Sequence, residues 1–251
     1  NSILWTGEPG INGFLGIADV IAGNVSPSGH LPDTYAKNAT SSPSMVNFGV
    51  YTYENNSQNS KELKDTDRGD WYVVESEGIY VGYKYYETRY EDYILKQGNA
   101  DATEGSTTGE AWKYEDEVTY PFGYGLTYAA FSYEKMQIKK ERGCIKVSCF
   151  IKNTGERSAD EIVQLYVHKK GSRVQRPIRQ LVGFERIHDI QPKETRKVTF
   201  MVQLWELEYY DVISERMILE DGTYQFMAGA SSQDIRLEQS IEICLLYTSP
   251  S

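Results

Sequence analysis

Cysteine, histidine and net positive charge are all scarce in this chain of 251 residues, and each scarcity removes a class of function. The three cysteines, Cys144, Cys149 and Cys244, are an odd number in a long chain and lack metal-ligand spacing, so they read as structural thiols rather than a disulfide framework. The three histidines, His30, His168 and His188, are scattered and offer no metal constellation, so neither a metal nor any other cofactor is expected. Lysine and arginine number 26 against 36 acidic residues, a net charge of -10. A surface of that sign repels nucleic acid and anionic membranes. The short basic runs Lys139-Lys140 with Arg142 and Lys169-Lys170 with Arg173 and Arg176 read as solvated strand ends or loops. No apolar run is long enough to span a bilayer. An initiating methionine is also absent: the chain opens on Asn1, so a targeting leader is neither shown nor excluded.

What the chain does have is enough apolar and aromatic residues, 40% and 13%, for a real core. Ser2-Ile3-Leu4-Trp5 reads as the end of a buried strand. Asn12 to Gly23 reads as a helix, with Asn12 as its cap, Phe14, Ile17, Ala18 and Ile21 at helical spacing, and Gly23 as a left-handed stop. Pro27 to Pro32 is a rigid turn leading into an extended piece. One strand, one helix and one turn make the edge of an α/β layer. From Lys37 to about Asp70 the composition is polar and loop-like. Between Trp71 and Tyr93, β-branched and aromatic residues predict an extended ribbon with Ile79, Val81, Tyr83 and Tyr85 on one face. Gly98 to Glu117 is a small, acidic excursion.

Pro121-Phe122-Gly123-Tyr124-Gly125-Leu126-Thr127-Tyr128 then opens a segment of different character. Ile145, Val147, Cys149 and Ile151 alternate with polar residues, as do Val163, Leu165 and Val167 and then Val198, Phe200 and Val202. These are half-buried strands of an antiparallel sandwich of about seven strands. Asp221-Gly222 predicts a two-residue hairpin pairing Leu219 with Tyr224 and Met217 with Phe226.

Several of these stretches together carry a resemblance: Leu4-Trp5-Thr6-Gly7-Glu8-Pro9-Gly10, Ile17 to Gly23, Pro27-Ser28-Gly29-His30-Leu31-Pro32, Glu77 to Tyr86 and Pro121 to Tyr128. In this order they resemble the C-terminal part of glycoside hydrolase family 3, the β-glucosidase family. Asn153-Thr154-Gly155, Val163 to Val167, Arg176-Pro177, Leu181 to Phe184 and Gly222-Thr223-Tyr224 resemble that family's fibronectin type III-like domain. The fold this implies is a truncated α/β sandwich edge at residues 1–36, an irregular insertion and aromatic-rich linker at 37–127, a fibronectin type III-like antiparallel β-sandwich at 128–243, and a non-native tail at 244–251.

The resemblance implies retaining hydrolysis of terminal β-linked sugars from a β-glycoside or oligosaccharide. The aspartate nucleophile would come from an N-terminal barrel and the glutamate acid/base from the upstream α/β domain. Neither role transfers to a residue of this chain, which is expected to be inactive alone; no catalytic residue is assigned. His30 stands where the family usually has arginine. Glu75 and Glu77, two apart on an extended segment, point the same way, yet a structural pair is favoured over a catalytic one. Gly7, Gly10, Gly13 and Gly16 lack both the spacing and the lysine of a phosphate cradle. The aromatic cluster supplies the sugar-contact candidates Trp71, Tyr83 and Trp112, set against a simple packing role. The competing reading is a non-catalytic carbohydrate-binding or adhesion module.

Overall fold

The computed structural model of this chain describes residues 3–46, 48, 75–95 and 106–244. In chain order its elements are α1 (Gly10–Ala22), β1 (Tyr35–Ala36), α2 (Pro43–Val46), α3 (Tyr83–Leu95), α4 (Tyr114–Glu117), β2 (Val118–Tyr120), β3 (Phe131–Glu141), β4 (Cys144–Asn153), β5 (Ala159–Lys169), β6 (Gln180–Ile190), β7 (Thr195–Gln203), β8 (Tyr209–Asp211), β9 (Arg216–Ile218), β10 (Gly222–Gly229) and β11 (Ile235–Ile243). They fall into two compact units, Asn1–Asp33 with Pro121–Ser251 and Thr34–Tyr120. Most of the polar stretch before Trp71, Trp71 itself, the start of the acidic excursion and the tail from residue 245 lie outside the described residues.

The larger unit is a β-sandwich, a four-stranded sheet β11-β10-β5-β6 and a three-stranded sheet β3-β4-β7. The alternation in β4 and β7 sets their register: Ile145 faces Val202, Val147 faces Phe200 and Cys149 faces Val198. A slip of one residue would turn this whole set to solvent. Val163, Leu165 and Val167 of β5 and Phe226 of β10 close the core from the other sheet, each large side chain contributing roughly 1.5–3 kcal/mol. Asn153, fully buried, closes one end of the sandwich. Its Nδ2 donates to the Arg157 and Ile190 carbonyls at 2.7 and 2.8 Å, and its Oδ1 accepts from the Gly155 amide at 2.9 Å.

The hairpin expected at Asp221-Gly222 does not form between the strands flanking it. β9 instead pairs with β8, Met217 opposite Tyr210, while β10 pairs with β5 and β11. The chain does bend there, with Gly222 at φ +113°, but Glu220 is tied elsewhere. Its carboxylate accepts from the Ser172 hydroxyl at 2.6 Å and the Arg173 amide at 2.9 Å, and meets Arg176 at 3.2 Å. The residue before the turn is thus fixed to the β5–β6 connection and cannot lie beside β10.

At the N-terminus the expected helix forms as α1, but its N-cap is Pro9, without a side-chain cap bond, and Asn12 lies inside the helix. Gly23 ends it at φ +76°, its amide donating to Val20 and that of Asn24 to Asp19. Phe14 and Ile21 of the apolar stripe are 65% and 71% exposed. The buried strand expected at Ser2 to Trp5 is not formed: Ile3, Leu4 and Trp5 are exposed and without regular structure. Among the described residues no strand runs beside them, and an unpaired strand in water gains no ladder bonds.

Candidate functional site

Of the three aromatic candidates, Tyr83 and Trp112 are among the described residues, in the unit Thr34–Tyr120, and Trp71 lies outside them. The extended ribbon expected there is a helix instead. Gly78 and Gly82 take φ +55° and +62°, outside the extended region, and α3 starts at Tyr83 directly after the second glycine. Glu77 lies in the turn before it, its carbonyl accepting from the Tyr80 amide. Glu75 and Glu77 therefore do not share a strand face, which removes the argument for pairing them. The signal for the helix was in the sequence: Tyr83, Tyr86, Tyr90 and Tyr93 recur at helical spacing.

Tyr83 is half-buried at the start of α3, whereas Trp112 is wholly buried. The Arg89 guanidinium lies 5.3 Å from the Trp112 ring centroid and 5.9 Å from that of Tyr85. Trp112 meets Tyr114 edge-on at 6.3 Å, and Tyr85 meets Tyr86 edge-on at 5.2 Å. Burial raises the Tyr85 pKa, with Arg89 opposing it. Two fully buried carboxylates, Glu87 and Glu117, complete this cluster and were not anticipated from the sequence. Glu87 accepts from the Tyr114 hydroxyl at 2.9 Å; Glu117 accepts from the Thr107 amide and hydroxyl at 2.7 and 2.6 Å. Both thus serve as internal acceptors.

In the other unit, two motifs about a hundred residues apart in sequence lie side by side. The Leu31 amide donates to the Tyr124 carbonyl at 2.8 Å, and the Gly123 amide to the Leu31 carbonyl at 2.9 Å. Ser26 Oγ lies 2.8 Å from Thr127 Oγ1 and accepts from the Tyr128 amide at 2.9 Å. A Cβ on Gly125 would sit 2.4 Å from the Gly29 carbonyl oxygen, so the close approach itself requires glycine. Beside this pairing opens a cleft of about 360 Å³, whose lining includes Ser28, His30, Thr127, Asp160, Glu161 and Arg236.

The ionisable groups of the cleft are held in place by one another. Asp160 accepts from Arg186 Nε at 2.8 Å, His188 Nδ1 at 3.0 Å and the Asp189 amide at 2.8 Å. Burial pulls its pKa upward, but these bonds and the Arg186 charge outweigh it and hold the carboxyl below its ordinary range. Burial raises Glu161, against the bond it accepts from the Tyr133 hydroxyl at 2.7 Å. Tyr133 is itself pushed far up, by burial and then by the Glu161 charge. Arg236 stacks 4.7 Å from the Tyr133 ring centroid, pairs with Asp234 at 2.6 Å and donates to the Phe131 carbonyl at 3.0 Å. The His30 pKa is lowered, chiefly by burial and further by Arg186 and Arg236, against its bond to the Ser28 carbonyl. Among the described residues no group of three or more metal-ligating side chains comes together, and no helix is long and apolar enough to cross a membrane.

The model of the glycosyl hydrolase family 3 C-terminal domain matches residues 1–83, and that of the fibronectin type III-like domain matches residues 161–232. Thermostable beta-glucosidase B of Acetivibrio thermocellus is 31% identical over 231 residues, 90% of this chain and 25% of that protein. Probable beta-glucosidase K of Emericella nidulans is 32% identical over 230 residues, 91% of this chain and 22% of its own length. Among solved structures, beta-glucosidase 3B from Thermotoga neapolitana in complex with glycerol superposes with a TM-score of 0.69 at 27% identity, covering 91% of this chain and 26% of its own. The chain spans about a quarter of the length of the curated relatives it matches.

Proposed function

We infer from the membership of this chain in glycosyl hydrolase family 3, to which it belongs through its C-terminal-domain and fibronectin type III-like segments, that it works as the C-terminal part of a longer β-glucosidase-type hydrolase. The substrate class is a terminal β-linked sugar of a β-glycoside or oligosaccharide. The observation that carries this is the extent of the likeness: it runs across 90% of the chain, through both segments in order, to a protein named as a beta-glucosidase. An adhesion module would not need the α/β remnant that precedes the sandwich.

Retaining hydrolysis uses two carboxyl groups about 5–5.5 Å apart, one ionised to attack and one protonated to release the leaving group. We place both outside this chain. Glu87 and Glu117, its fully buried carboxylates, are occupied by internal hydrogen bonds, and Glu75 and Glu77 sit at a turn. The role left to the chain is architectural: residues 1–36 complete an α/β layer, 37–127 form the insertion, and 128–243 form the sandwich. Of the aromatic candidates, Tyr83, half-buried at the head of α3, fits a sugar contact better than the enclosed Trp112, which fits the role of support.

The test is hydrolysis of an aryl β-glucoside by two proteins, this chain alone and this chain joined to the reading frame upstream of Asn1. Turnover by the longer protein only is expected. Turnover by the chain alone that disappears in Glu75→Gln or Glu77→Gln overturns the placement of the carboxylates, and a longer protein that binds the glucoside without cleaving it overturns the hydrolase reading.

A further inference from the structure

We propose that the cleft bounded by Ser28, His30, Thr127, Asp160 and Arg236 is a binding site for a neutral, polyhydroxylated ligand, a single sugar unit. Its volume, about 360 Å³, lies within the roughly 300–1,000 Å³ of small-molecule sites. The residues that form it come from four separate stretches of one unit: the Pro27–Pro32 turn, the Pro121–Tyr128 motif continued to Phe131 at the start of β3, the start of β5, and the loop before β11 with the start of that strand.

The state of His30 decides the ligand chemistry. Its Nδ1 lies 3.1 Å from the Ser28 carbonyl oxygen, and since a carbonyl only accepts, Nδ1 carries the proton. A lowered pKa keeps the ring neutral near pH 7, so Nε2 is the acceptor of the ring. That tautomer is fixed by the backbone, and because His30 lines the cleft, its acceptor nitrogen suits a ligand that brings a hydroxyl or amide proton. The Gly125 position packs against the same ring, where a Cβ would lie 3.0 Å from its Cδ2, so residue 125 gives the ring no side chain to bond.

The charges around the cleft argue against an ion. Arg236 is committed to Asp234, Phe131 and the Tyr133 ring, and Arg186 to Asp160 and to Ser28 Oγ at 2.5 Å. Among the described residues that line the cleft, no cation is left to take an anion. Asp160 accepts through both oxygens, from the Asp189 amide on one and from Arg186 and His188 on the other; Glu161 accepts from Tyr133 and lies 3.7 Å from Arg236, and Asp234 is paired with Arg236, so each carboxylate of the lining already faces a donor or a cation. A ligand that both donates and accepts weakly at many points, with apolar C–H faces to lie against Leu126 and Phe131, fits what remains.

The choice of a β-glucoside as probe rests on the hydrolase reading; the polyol class does not. Cellobiose is titrated into the purified, isotope-labelled chain and followed by amide chemical shifts. Saturable shifts centred on Gly125, Leu126 and Thr127 are expected. His30→Phe, which keeps a ring but loses the acceptor, should weaken binding at least about tenfold, because a ligand hydroxyl is left unpaired. His30→Gln, which keeps an acceptor, should bind within about threefold of the parent. No saturable shift, shifts confined to other residues, equal binding by His30→Phe, or inorganic phosphate saturating the site where cellobiose does not would each overturn the proposal. The hydrolase reading is untouched by any of these, since it is decided by turnover in the longer protein.

Discussion

The side-chain amide of Gln164 donates to the carbonyl of Gly123 at 3.0 Å, while its own carbonyl oxygen fills the space a side chain at residue 123 would need. A Cβ built on Gly123 would lie 2.0 Å from Gln164 Oε1, and Gly123 stands at φ +75°. Gln164 cannot step aside freely, because its Nε2 also donates to the Ala230 carbonyl at 2.7 Å and its Oε1 accepts from Tyr166 at 2.5 Å. Gly123→Ala must therefore adopt a left-handed backbone and break a buried network together. The expected loss is about 2–4 kcal/mol, from the left-handed penalty plus one or two hydrogen bonds. Chemical denaturation checks it; a midpoint unchanged from the parent would mean the motif is looser than its geometry.

That network also marks where the sequence stopped being legible. The inward faces of β4, β5 and β7 could be read directly, because alternation with period two is a local signal. Gln164 and Tyr166, on the opposite face of β5, read as solvent-facing and are buried, because what covers them includes Gly123 and Ala230, 41 and 66 residues away. The same holds for the cleft. Ser28 and His30 stand in a quotable motif, but Asp160 and Arg236 arrive from β5 and β11 through sheet pairing that no short window reports. Helix α3 is hidden for a different reason: its aromatic and β-branched composition points to an extended ribbon, against the two glycines and the spacing of the tyrosines, which point to a helix. Glu87 and Glu117 gave no sign, since a buried carboxylate differs from an exposed one only in its tertiary neighbours.

A boundary experiment follows from Gln164. The sandwich has its own core, so residues 128–243 should fold cooperatively by themselves. They would do so with Gln164 stripped of its Gly123 acceptor. A segment begun at Pro121 restores that bond and should be more stable by about 1–3 kcal/mol, the cost of a buried polar group left unmade. Thermal unfolding of the two segments followed by circular dichroism compares them directly. Equal melting temperatures would show that the Pro121–Tyr128 motif is held by residues 1–33 rather than by the sandwich.

Asp160 gives a pH dependence with a definite sign. Its pKa in the folded chain lies below the ordinary aspartate value of 3.8, so the folded state favours the ionised form and gains stability from it above that value. The contribution is lost as pH falls through the folded pKa. Asp160→Asn should accordingly melt below the parent at pH 7, and the gap should close as the pH is lowered beneath 3.8. A gap that stays constant down to pH 2 would mean that the carboxylate charge is not what matters there.

Helix α1 carries the last expectation. Ile11, Phe14, Leu15 and Ile21 are 95%, 65%, 73% and 71% exposed, and an isolated helix of this length is marginal in water. Among the described residues, its side-chain hydrogen bonds to the sandwich lie at its C-terminal end. The Tyr128 hydroxyl donates to the Val20 carbonyl at 2.9 Å, and Arg157 donates to the Gly23 carbonyl at 2.8 Å. Amide exchange should therefore be graded along the helix, fastest toward Gly13 and Phe14 and slowest at Gly23 and Asn24, and everywhere faster than in β4. At higher concentration the exposed apolar side chains should draw copies of the chain together, since burying them recovers roughly 1.5–3 kcal/mol each. Phe14→Asp should then abolish the association, read by analytical ultracentrifugation, without lowering the melting temperature of the sandwich. Uniform strong protection of α1 in a monomeric chain would show that the helix is stable without a cover, and would remove the reason to regard it as the edge of a larger layer.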